Sequence, residues 1–474
     1  MAQEEKRLTI VTSTGRSGRS SPLTRALSAV VAIERHELPS AVTAFCLFFC
    51  VLGGYFVVRP VRETIGTLIG RDRVADLWVA TWVVSLAIVP VYGAIVARVR
   101  RSVFLPSIYG AVAVTLASVG MAMQAQPGNV GVGQLFYVFI SVINLFLVSV
   151  FWSFLVELFD TGQAKRLFPV IAAGGTAGAL AGPLFTDLTV YTVGNGGILF
   201  VGAAMFALAV VLQRVLLGIW RSDSLSRDSL GSAPAGERRD RVIGGNPFRG
   251  ITLVLRSPYL LAFAGYVTLL AAVNTFLYFE QLRLVEATFA DTQARTRVFA
   301  RIDWIVQGLT VVSQLFITGR LATRLGVAIL LTMVPVAMVF GFLSLVLWNS
   351  FAVLAVVMVV RRWGEYAFVR PGREMLWSPL DRETKYKAKN VIDLPVYRGA
   401  DAAVAQMQQA LGGAGFGVQA IALLGAASAL LWGFNGWWLG RRHDAAASAN
   451  DSATSTGSLR LRVNADQRSW RRSL

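Results

Sequence analysis

The sequence predicts an all-α polytopic membrane protein with 12 transmembrane helices arranged in two six-helix halves. The 474-residue chain is 55% apolar and 15% charged, with a mean hydropathy of +0.57, whereas about a quarter of the residues in an ordinary soluble domain are charged. Apolar runs long enough to cross about 30 Å of hydrocarbon occur in two groups. The two groups also repeat one another in sequence, as described below.

A scan for stretches of about 20 mostly apolar residues gives six candidate spans before a hydrophilic middle segment and six after it. The first six lie near 41–61, 76–97, 103–124, 133–157, 168–190 and 197–219, and the second six near 259–281, 302–319, 326–348, 351–374, 391–411 and 416–439. The predicted regions are a cytoplasmic tail at 1–39, a six-helix bundle at 40–219, a cytoplasmic linker at 220–258, a second bundle at 259–440 and a disordered basic tail at 441–474.

The connections between spans differ in charge, and this predicts the topology. Basic connections lie at 98–101, 165–166, 221–258, 320–324 and 382–389, whereas those near 125–132, 191–196, 349–350 and 412–415 contain no Lys or Arg. Because short basic connections stay on the cytoplasmic side, both termini are predicted to be cytoplasmic. The N-terminal segment has no apolar core before a cleavage site, so we expect a tail and not a signal peptide.

Several functional classes are excluded by composition. A formal charge of +18 would suggest nucleic acid in a soluble chain, but here part of it follows from topology, so no nucleic-acid partner is expected. His36 and His443 are too few to build a metal or haem site, and Cys46 and Cys50 lie in one apolar run, which favours packing over redox chemistry. We expect no cofactor. The Gly-Lys dipeptide of a phosphate loop is absent, so the chain is not a self-contained ATP-driven pump.

The two groups of spans align with a constant offset. At an offset of 224 residues, Arg59 falls on Arg283 and Lys165 on Lys389. Six-helix halves of the same orientation imply a pseudo-two-fold axis along the membrane normal, with a cavity between the halves. The segment GRLATRLG at 319–326 also resembles the basic loop signature of the major facilitator superfamily. The expected fold is therefore of the major facilitator type.

Charged residues inside the first span require an explanation, because each costs about 2.5–3.5 kcal/mol at the centre of a membrane helix. Arg59, Arg62 and Glu63 share one face of a helix. A substrate site is one interpretation. The other is snorkelling of Arg59, which lies near the outer end of the span and precedes Pro60.

The tenth and eleventh spans carry the most charge. The apolar run FAVLAVVMVV is followed by Arg361, Arg362, Glu365, Arg370, Arg373 and Glu374, and the eleventh span carries Lys389, Asp393, Arg398 and Asp401. Interrupted spans at the interface between two halves indicate a transport site. Helical spacing predicts that Lys389 pairs with Asp393, and Arg398 with Asp401. The alternative is that these ion pairs only hold the halves together.

Glycines in the fifth span share one helix face. Gly174, Gly178 and Gly182 follow one another at four-residue spacing. Small residues let helix backbones approach closely in a membrane, so we expect a packing role. A role in cradling phosphate is the alternative.

Three stretches resemble the ATP/ADP carrier family, the nucleotide exchangers of plastids and intracellular bacteria. They are YFVVRPVRETIG at 55–66, FWSFLVELFDTGQAKRLFP at 151–169 and EYAFVRPGREMLWSPLDRETKYKAKNVIDLPVYRG at 365–399. The resemblance implies exchange of ATP against ADP through a cationic cavity. By position, Arg62 takes the place of a substrate-binding Lys and Glu374 that of a conserved Glu. Charged family positions are also matched by Lys165, Arg166, Lys389 and Asp393.

The chain departs from the family pattern in several places. Arg62-Glu63-Thr64 stands for Lys-Asp-Thr, Gln163 for Glu, and Arg373 for Lys, while Val156 replaces an Asn and is followed by Glu157. Asp401 falls where a Lys is expected, which is a change of two charges. The resemblance therefore indicates a divergent bacterial member whose anion need not be ATP.

The sequence as a whole predicts a secondary transporter of an anionic solute that works by alternating access in the bacterial inner membrane. By resemblance it is an ATP:ADP exchanger. The alternatives are a proton-coupled transporter of another organic anion and a non-transporting membrane scaffold; no catalytic set of an enzyme is visible. The expected partners are the anionic substrate and the lipid bilayer. The predicted substrate-binding residues are Arg59, Arg62, Glu63, Glu157, Lys165, Arg166, Arg283, Arg373, Glu374, Lys389, Asp393, Arg398 and Asp401.

Overall fold

The chain is helical wherever the structure describes it. The computed structural model describes Glu34 and residues 36–98, 101–126, 128–228 and 249–470. Within these ranges every element is a helix and no strand occurs, which confirms the all-α prediction. The remainder of the predicted tails and linker, at 1–33, 229–248 and 471–474, lies outside the described residues.

The first half of the chain forms five helices. They are α1 (Leu38–Ile69), α2 (Arg71–Arg98), α3 (Arg101–Ala125), α4 (Val130–Leu158) and α5 (Thr161–Asp228). Within α5, Gly194 has φ 70° and ψ 171°, a backbone conformation that favours glycine and interrupts the helix. Gly53 of α1 lies next to both Gly178 and Met205, so α5 doubles back on itself at Gly194 and passes α1 twice.

The second half is divided into shorter helices. They are α6 (Arg249–Arg256), α7 (Pro258–Thr288), α8 (Thr292–Ser313), α9 (Gly319–Leu347), α10 (Phe351–Gly364), α11 (Arg370–Met375), α12 (Arg382–Val391), α13 (Tyr397–Gly413) and α14 (Val418–Trp470). Three π-helical turns join consecutive helices: Gln314–Thr318 after α8, Glu365–Val369 after α10 and Ile392–Val396 after α12. A second positive-φ glycine, Gly326, interrupts α9.

Seven helical stretches of the described chain are long and apolar enough to cross a membrane. They are Leu38–Ile69, Leu105–Ala125, Val130–Leu158, Gly162–Ser222, Pro258–Thr288, Thr292–Leu347 and Val418–Ala445. Two of these contain the breaks at Gly194 and Gly326. The protein is thus a multi-pass membrane protein, while the count of 12 spans, the side of the termini and the division into regions stay predictions. The backbone of α14 continues as a helix into the predicted C-terminal tail.

The bundle has two distinguishable ends. At the Glu37 end, Arg166 at the start of α5 contacts Glu37 before α1, and Ser378 bonds His443 at 3.0 Å. At the opposite end, called the Gly194 end, the turns around Gly194 and between α9 and α10 lie together with the ends of α1 and α7. The candidate site described below lies between these two ends.

Two clusters of buried apolar side chains support the two halves. The first gathers mainly around α1, α4 and α5, where Phe48 stacks on Phe151 at 4.1 Å between ring centroids. The second gathers around α7, α9 and α14, with Phe263 and Trp377 at 4.5 Å. The halves meet where α8 packs on α1 and α5, and where α13 packs on α2. Charged side chains converge on this boundary.

Candidate anion-binding site between the two halves

Charged side chains from both halves meet between the two apolar cores. We call them the central charge network. The first half contributes residues from α1 alone, and the second contributes the rest from α8, α10, α11 and α13 and from two π-helical turns. The members are Arg59, Arg62, Glu63, Asp303, Arg361, Arg362, Glu365, Arg370, Arg373, Asp393, Arg398 and Asp401.

Asp303 joins the two halves at the centre of the network. Its carboxylate lies 3.4 Å from Arg59 Nη1 of α1 and 2.5 Å from Arg362 Nη1 of α10, and only 2% of its side chain is exposed. Sequence reasoning did not select Asp303 as a site residue. The signal was present, because it is the one carboxylate in the apolar run 302–319, where a charge is costly unless it is paired.

Glu63 connects the two arginines of α1. Its Oε1 lies 3.8 Å from Arg59 Nε and 3.6 Å from Arg62 Nη2. The guanidinium of Arg62 lies 4.7 Å above the ring of Tyr137 and 3.4 Å from its hydroxyl. Arg59 is therefore held by carboxylates in the bundle interior, which argues against the snorkelling interpretation.

Aromatic residues cover the network on the side of the Gly194 end. The Tyr137 hydroxyl accepts a hydrogen bond from Trp78 Nε1 at 2.8 Å and shares one with the Tyr278 hydroxyl at 2.6 Å. These three residues come from α2, α4 and α7, so the cover includes both halves. Aromatic side chains whose polar atoms are satisfied make a stable boundary to a polar site.

A second group of charges lies within the second half. Arg361 Nη1 contacts Glu365 Oε2 at 3.2 Å and also bonds the Asn274 amide oxygen. Asn274 in turn donates to the Tyr397 hydroxyl at 3.2 Å. These contacts join α7, α10 and α13 around polar side chains.

Arg370 is the most accessible cation of the network. Its side chain is exposed, and its guanidinium lies 4.8 Å above the ring of Tyr366. Glu365, Tyr397 and Arg59 are also near enough to act on its charge. None of the described carboxylates forms an ion pair with it within 4.0 Å, so its donors are available to a bound anion.

The π-helical turns bring these cations to one place. A π-helical turn shifts the face on which later residues lie, so Arg362 and Arg370 do not follow a regular helical spacing. The turn at Glu365–Val369 is held by the turn at Gln314–Thr318: Thr318 Oγ1 donates to the Ala367 carbonyl at 2.9 Å, and Gln314 Nε2 to the Tyr366 carbonyl at 3.2 Å. No periodicity rule could have located these turns from the sequence.

The predicted pairs of the eleventh span are found only in part. Arg398 Nη1 lies 3.7 Å from Asp401 Oδ2, as predicted. Lys389 instead contacts Glu374 at 2.5 Å, and Asp393 lies 3.7 Å from Arg373. Asp393 lies in the π-helical turn that begins at Ile392, so helical spacing no longer describes its position relative to Lys389.

Six predicted site residues lie away from the network. Glu157 at the end of α4 and Lys165 at the start of α5 are exposed. Arg166 pairs with Glu34 at 3.0 Å and with Glu37 at the Glu37 end, and Arg283 pairs with Glu280 and bonds Asn349 at the Gly194 end. The fifth and sixth residues of this kind are Lys389 and Glu374, whose pair lies beyond Arg373 toward the Glu37 end.

The network has more positive than negative groups. It contains seven guanidinium groups and five carboxylates, an excess of two positive charges. Several buried N–H groups of these arginines have no acceptor among the described residues. They are Arg62 Nε, Arg361 Nε, Arg362 Nε, Arg362 Nη2 and Arg373 Nε. Guanidinium groups bind phosphate and carboxylate oxygens strongly, so the arrangement is suited to an anion.

A metal site does not compete with this interpretation in the described part of the chain. Glu34, His36 and Glu37 have the spacing of metal ligands, but Arg166 already contacts both carboxylates. Although burial alone would raise the pKa of Glu37, the hydrogen bonds from Arg166 and from the Glu34 N–H lower it below its ordinary value. The cluster is an ion pair at the Glu37 end.

Two curated proteins resemble the chain over most of its length. An ADP,ATP carrier protein 1 from Chlamydia trachomatis is 24% identical over 452 residues, which cover 80% of this chain and 83% of the relative. Its counterpart from Chlamydia muridarum is 23% identical over 450 residues with the same coverage. The chain is therefore similar in sequence to the ADP,ATP carrier proteins. No protein-family model matches it.

Solved structures of membrane transporters also resemble the chain. A bacterial homologue of the iron transporter ferroportin, in an inward-facing state, has a TM-score of 0.58 at 12% identity and covers 86% of this chain and 98% of its own. The nucleoside transporter NupG has a TM-score of 0.56 at 15% identity, covering 86% and 99%. The chain therefore shares the helical fold of these membrane transporters. The major facilitator assignment, like the division into two six-helix halves, stays a prediction.

Proposed function

We propose that the protein exchanges anionic nucleotides across the bacterial inner membrane by alternating access, with the central charge network as its binding site. The observation that carries this proposal is the excess of positive charge where the two halves meet. The names of the curated relatives support nucleotides as the substrate class. Twelve spans with both termini in the cytoplasm complete the proposal.

The cross-half contacts support a state that is closed at the Gly194 end. Thr64 and Thr296 share a hydrogen bond of 2.6 Å, and Arg295 Nη1 donates to Thr67 at 2.9 Å. Asp187 of α5 accepts from Arg297 and Arg301 of α8. These contacts lie between the network and the Gly194 end. We infer that a substrate enters from the Glu37 end, which faces the cytoplasm in the proposed topology.

The charge excess also explains why exchange is favoured over one-way transport. To change the side that is open, the empty carrier must enclose two uncompensated positive charges between two apolar halves. Enclosing unpaired charge in a low-dielectric environment is strongly unfavourable. A bound anion compensates the charge, so the loaded carrier changes state more readily than the empty one.

Arg370 offers the sharpest test of the proposed site, because it is exposed and has no carboxylate partner among the described residues. Arg370→Gln should lower the uptake of labelled ATP into proteoliposomes loaded with ADP by at least about tenfold, since one charge-assisted contact to phosphate contributes roughly 1.5–3 kcal/mol. The matched control is Arg256→Gln, which removes an exposed cation from α6, outside the network.

Both variants should unfold at the temperature of the wild-type protein, because neither arginine holds a buried carboxylate. Equal uptake by the two variants would place substrate binding outside the network. If the folded wild-type protein takes up no nucleotide from any loaded vesicle, the proposal of nucleotide exchange is wrong, and the scaffold alternative gains support.

A further inference from the structure

We propose that the central charge network selects nucleotides that carry two negative charges, and that Asp401 sets this selectivity. This inference rests on the proposed function and concerns the charge of the substrate. It follows from which arginines are already compensated by a carboxylate and which are not.

Asp401 is a buried carboxylate inside a cationic site. Only 7% of the residue is exposed, and its Oδ2 lies 3.7 Å from Arg398 Nη1. Thr275 of α7, whose hydroxyl donates to the Ala271 carbonyl at 2.8 Å, lies close to this carboxylate, and the charges of Glu365 and Arg361 also act on it. Asp401 therefore compensates an arginine that would otherwise be free to bind substrate.

The other carboxylates are engaged in the same way. Glu365 is held by Arg361, and Asp393 by Arg373. Glu63 and Asp303 compensate two of the three arginines that surround them, which are Arg59, Arg62 and Arg362. One positive charge of that group remains, and Arg370 adds the second.

A bound anion neutralises the network only if its charge matches this excess. When the two halves close around the substrate, residual charge of either sign is enclosed in a low-dielectric environment and disfavours closure. A substrate with two negative charges leaves no residual charge in the closed site. Four negative charges would leave the loaded site as unfavourable as the empty one, with the opposite sign.

The charge excess of the network distinguishes nucleotides by their charge and not by their base. A terminal phosphate carries about −1.5 to −2 at pH 7, and each phosphate placed before it adds about one further negative charge. AMP and the magnesium complex of ATP therefore match the network, whereas free ADP and free ATP exceed it. Magnesium enters here as part of the substrate, since it binds nucleotide phosphates and keeps several waters.

The test measures exchange of labelled AMP, ADP and ATP in proteoliposomes, with either EDTA or excess Mg²⁺ on both sides. For the wild-type protein in EDTA we expect AMP to exchange faster than free ADP, and free ADP faster than free ATP; Mg²⁺ should increase ATP exchange. Asp401→Asn raises the excess to three positive charges, so the ratio of ADP to AMP exchange in EDTA should rise by at least about threefold, because charge matching governs discrimination.

Three further variants separate charge from structure. Asp401→Glu keeps the charge and should keep the wild-type ratio. Glu365→Gln makes the same charge change at another place in the network and should shift the ratio in the same direction, which keeps the test decisive if Asp401→Asn does not fold. Asp72→Asn removes an exposed carboxylate from the first turn of α2, outside the network. It should leave the ratio of ADP to AMP exchange unchanged.

The outcomes distinguish the two proposals. Asp401→Asn and Glu365→Gln could both exchange nucleotides with the wild-type ratio of ADP to AMP exchange. That result would overturn the inference of charge selection and leave the exchange proposal standing. A wild-type preference for free ATP over AMP would overturn it as well. Absence of exchange for every nucleotide would instead contradict the proposed function itself.

Discussion

The two halves use corresponding helices for different purposes. In the first half α5 lies directly on α1, because a Cβ at Gly174 would be 2.4 Å from the Phe45 carbonyl oxygen and one at Gly178 2.4 Å from that of Phe49. At the offset of 224 residues, Gly174 corresponds to Arg398 and Gly178 to Ala402. The glycine positions at which α1 and α5 are in close contact are therefore occupied by larger side chains in the corresponding helix pair of the second half.

The corresponding pair in the second half, α7 and α13, encloses polar groups instead. Tyr397 accepts from Asn274 across this pair, and Asp401 lies against Thr275. Replacing glycine with larger residues separates two helix backbones and makes room for charge. The first half is therefore closely packed and contributes one charged helix, while the second half provides most residues of the candidate site.

The largest expected effect on stability comes from disturbing the close contact between α1 and α5. Gly178→Ala places a methyl group against backbone atoms of α1 that cannot move aside, so we expect a loss of about 1–3 kcal/mol in stability. Gly110→Ala in α3 is the control, because nothing lies within 4 Å of its added Cβ, and better helix propensity should stabilise it by up to about 1 kcal/mol. Thermal unfolding in detergent measures both. If both variants behave alike, close packing is not what distinguishes the first half.

A second, smaller effect concerns a cluster that has no counterpart in the repeat. Asp187, 5% exposed, accepts from Arg297 Nε at 3.0 Å and from Trp304 Nε1 at 3.0 Å across the contact of α5 with α8. Its equivalent in the second half is Leu411. Asp187→Asn should therefore weaken closure at the Gly194 end by about 1–2 kcal/mol, a factor of about 5 to 30 in the equilibrium.

Labelling of a single cysteine measures this shift. Ile65→Cys, in a chain whose Cys46 and Cys50 are replaced by alanine, places a thiol at a buried position near the Gly194 end. Asp187→Asn should increase its modification rate, and the control Asp72→Asn should not. An unchanged rate in Asp187→Asn would mean that this cluster does not hold the halves together.

The smallest effect lies at the Glu37 end and depends on pH. Arg166 lowers the pKa of Glu37 in the folded protein, so this ion pair contributes stability that is fully present above the ordinary pKa of about 4.5 and is lost as the pH falls through the lowered value. The contribution should be small, because solvent screens the partly exposed Arg166. Glu37→Gln should flatten the decline of unfolding temperature below pH 5, and an identical decline in both proteins would contradict the assignment.

The sequence allowed prediction of the helical fold and of part of the candidate site, for identifiable reasons. Apolar length and the glycine spacing of α5 are local signals, and both correspond to features of the structure. Arg398 and Asp401 were found because charges inside spans are costly. Asp303 was missed although the same reasoning applies to it, whereas the position of Arg370 depends on a π-helical turn that no spacing reveals. Tertiary contacts also separate Arg166 and Arg283 from the network, which sequence motifs alone do not show.

The most direct test of the account measures whether an empty carrier can change the side that is open. Proteoliposomes are loaded with labelled nucleotide and diluted into buffer with or without unlabelled nucleotide. Because the empty network carries two uncompensated positive charges, efflux should be fast only when nucleotide is present outside, by at least about tenfold, the factor that 1.4 kcal/mol produces. Equally fast efflux into nucleotide-free buffer would contradict the claim that substrate charge permits the conformational change.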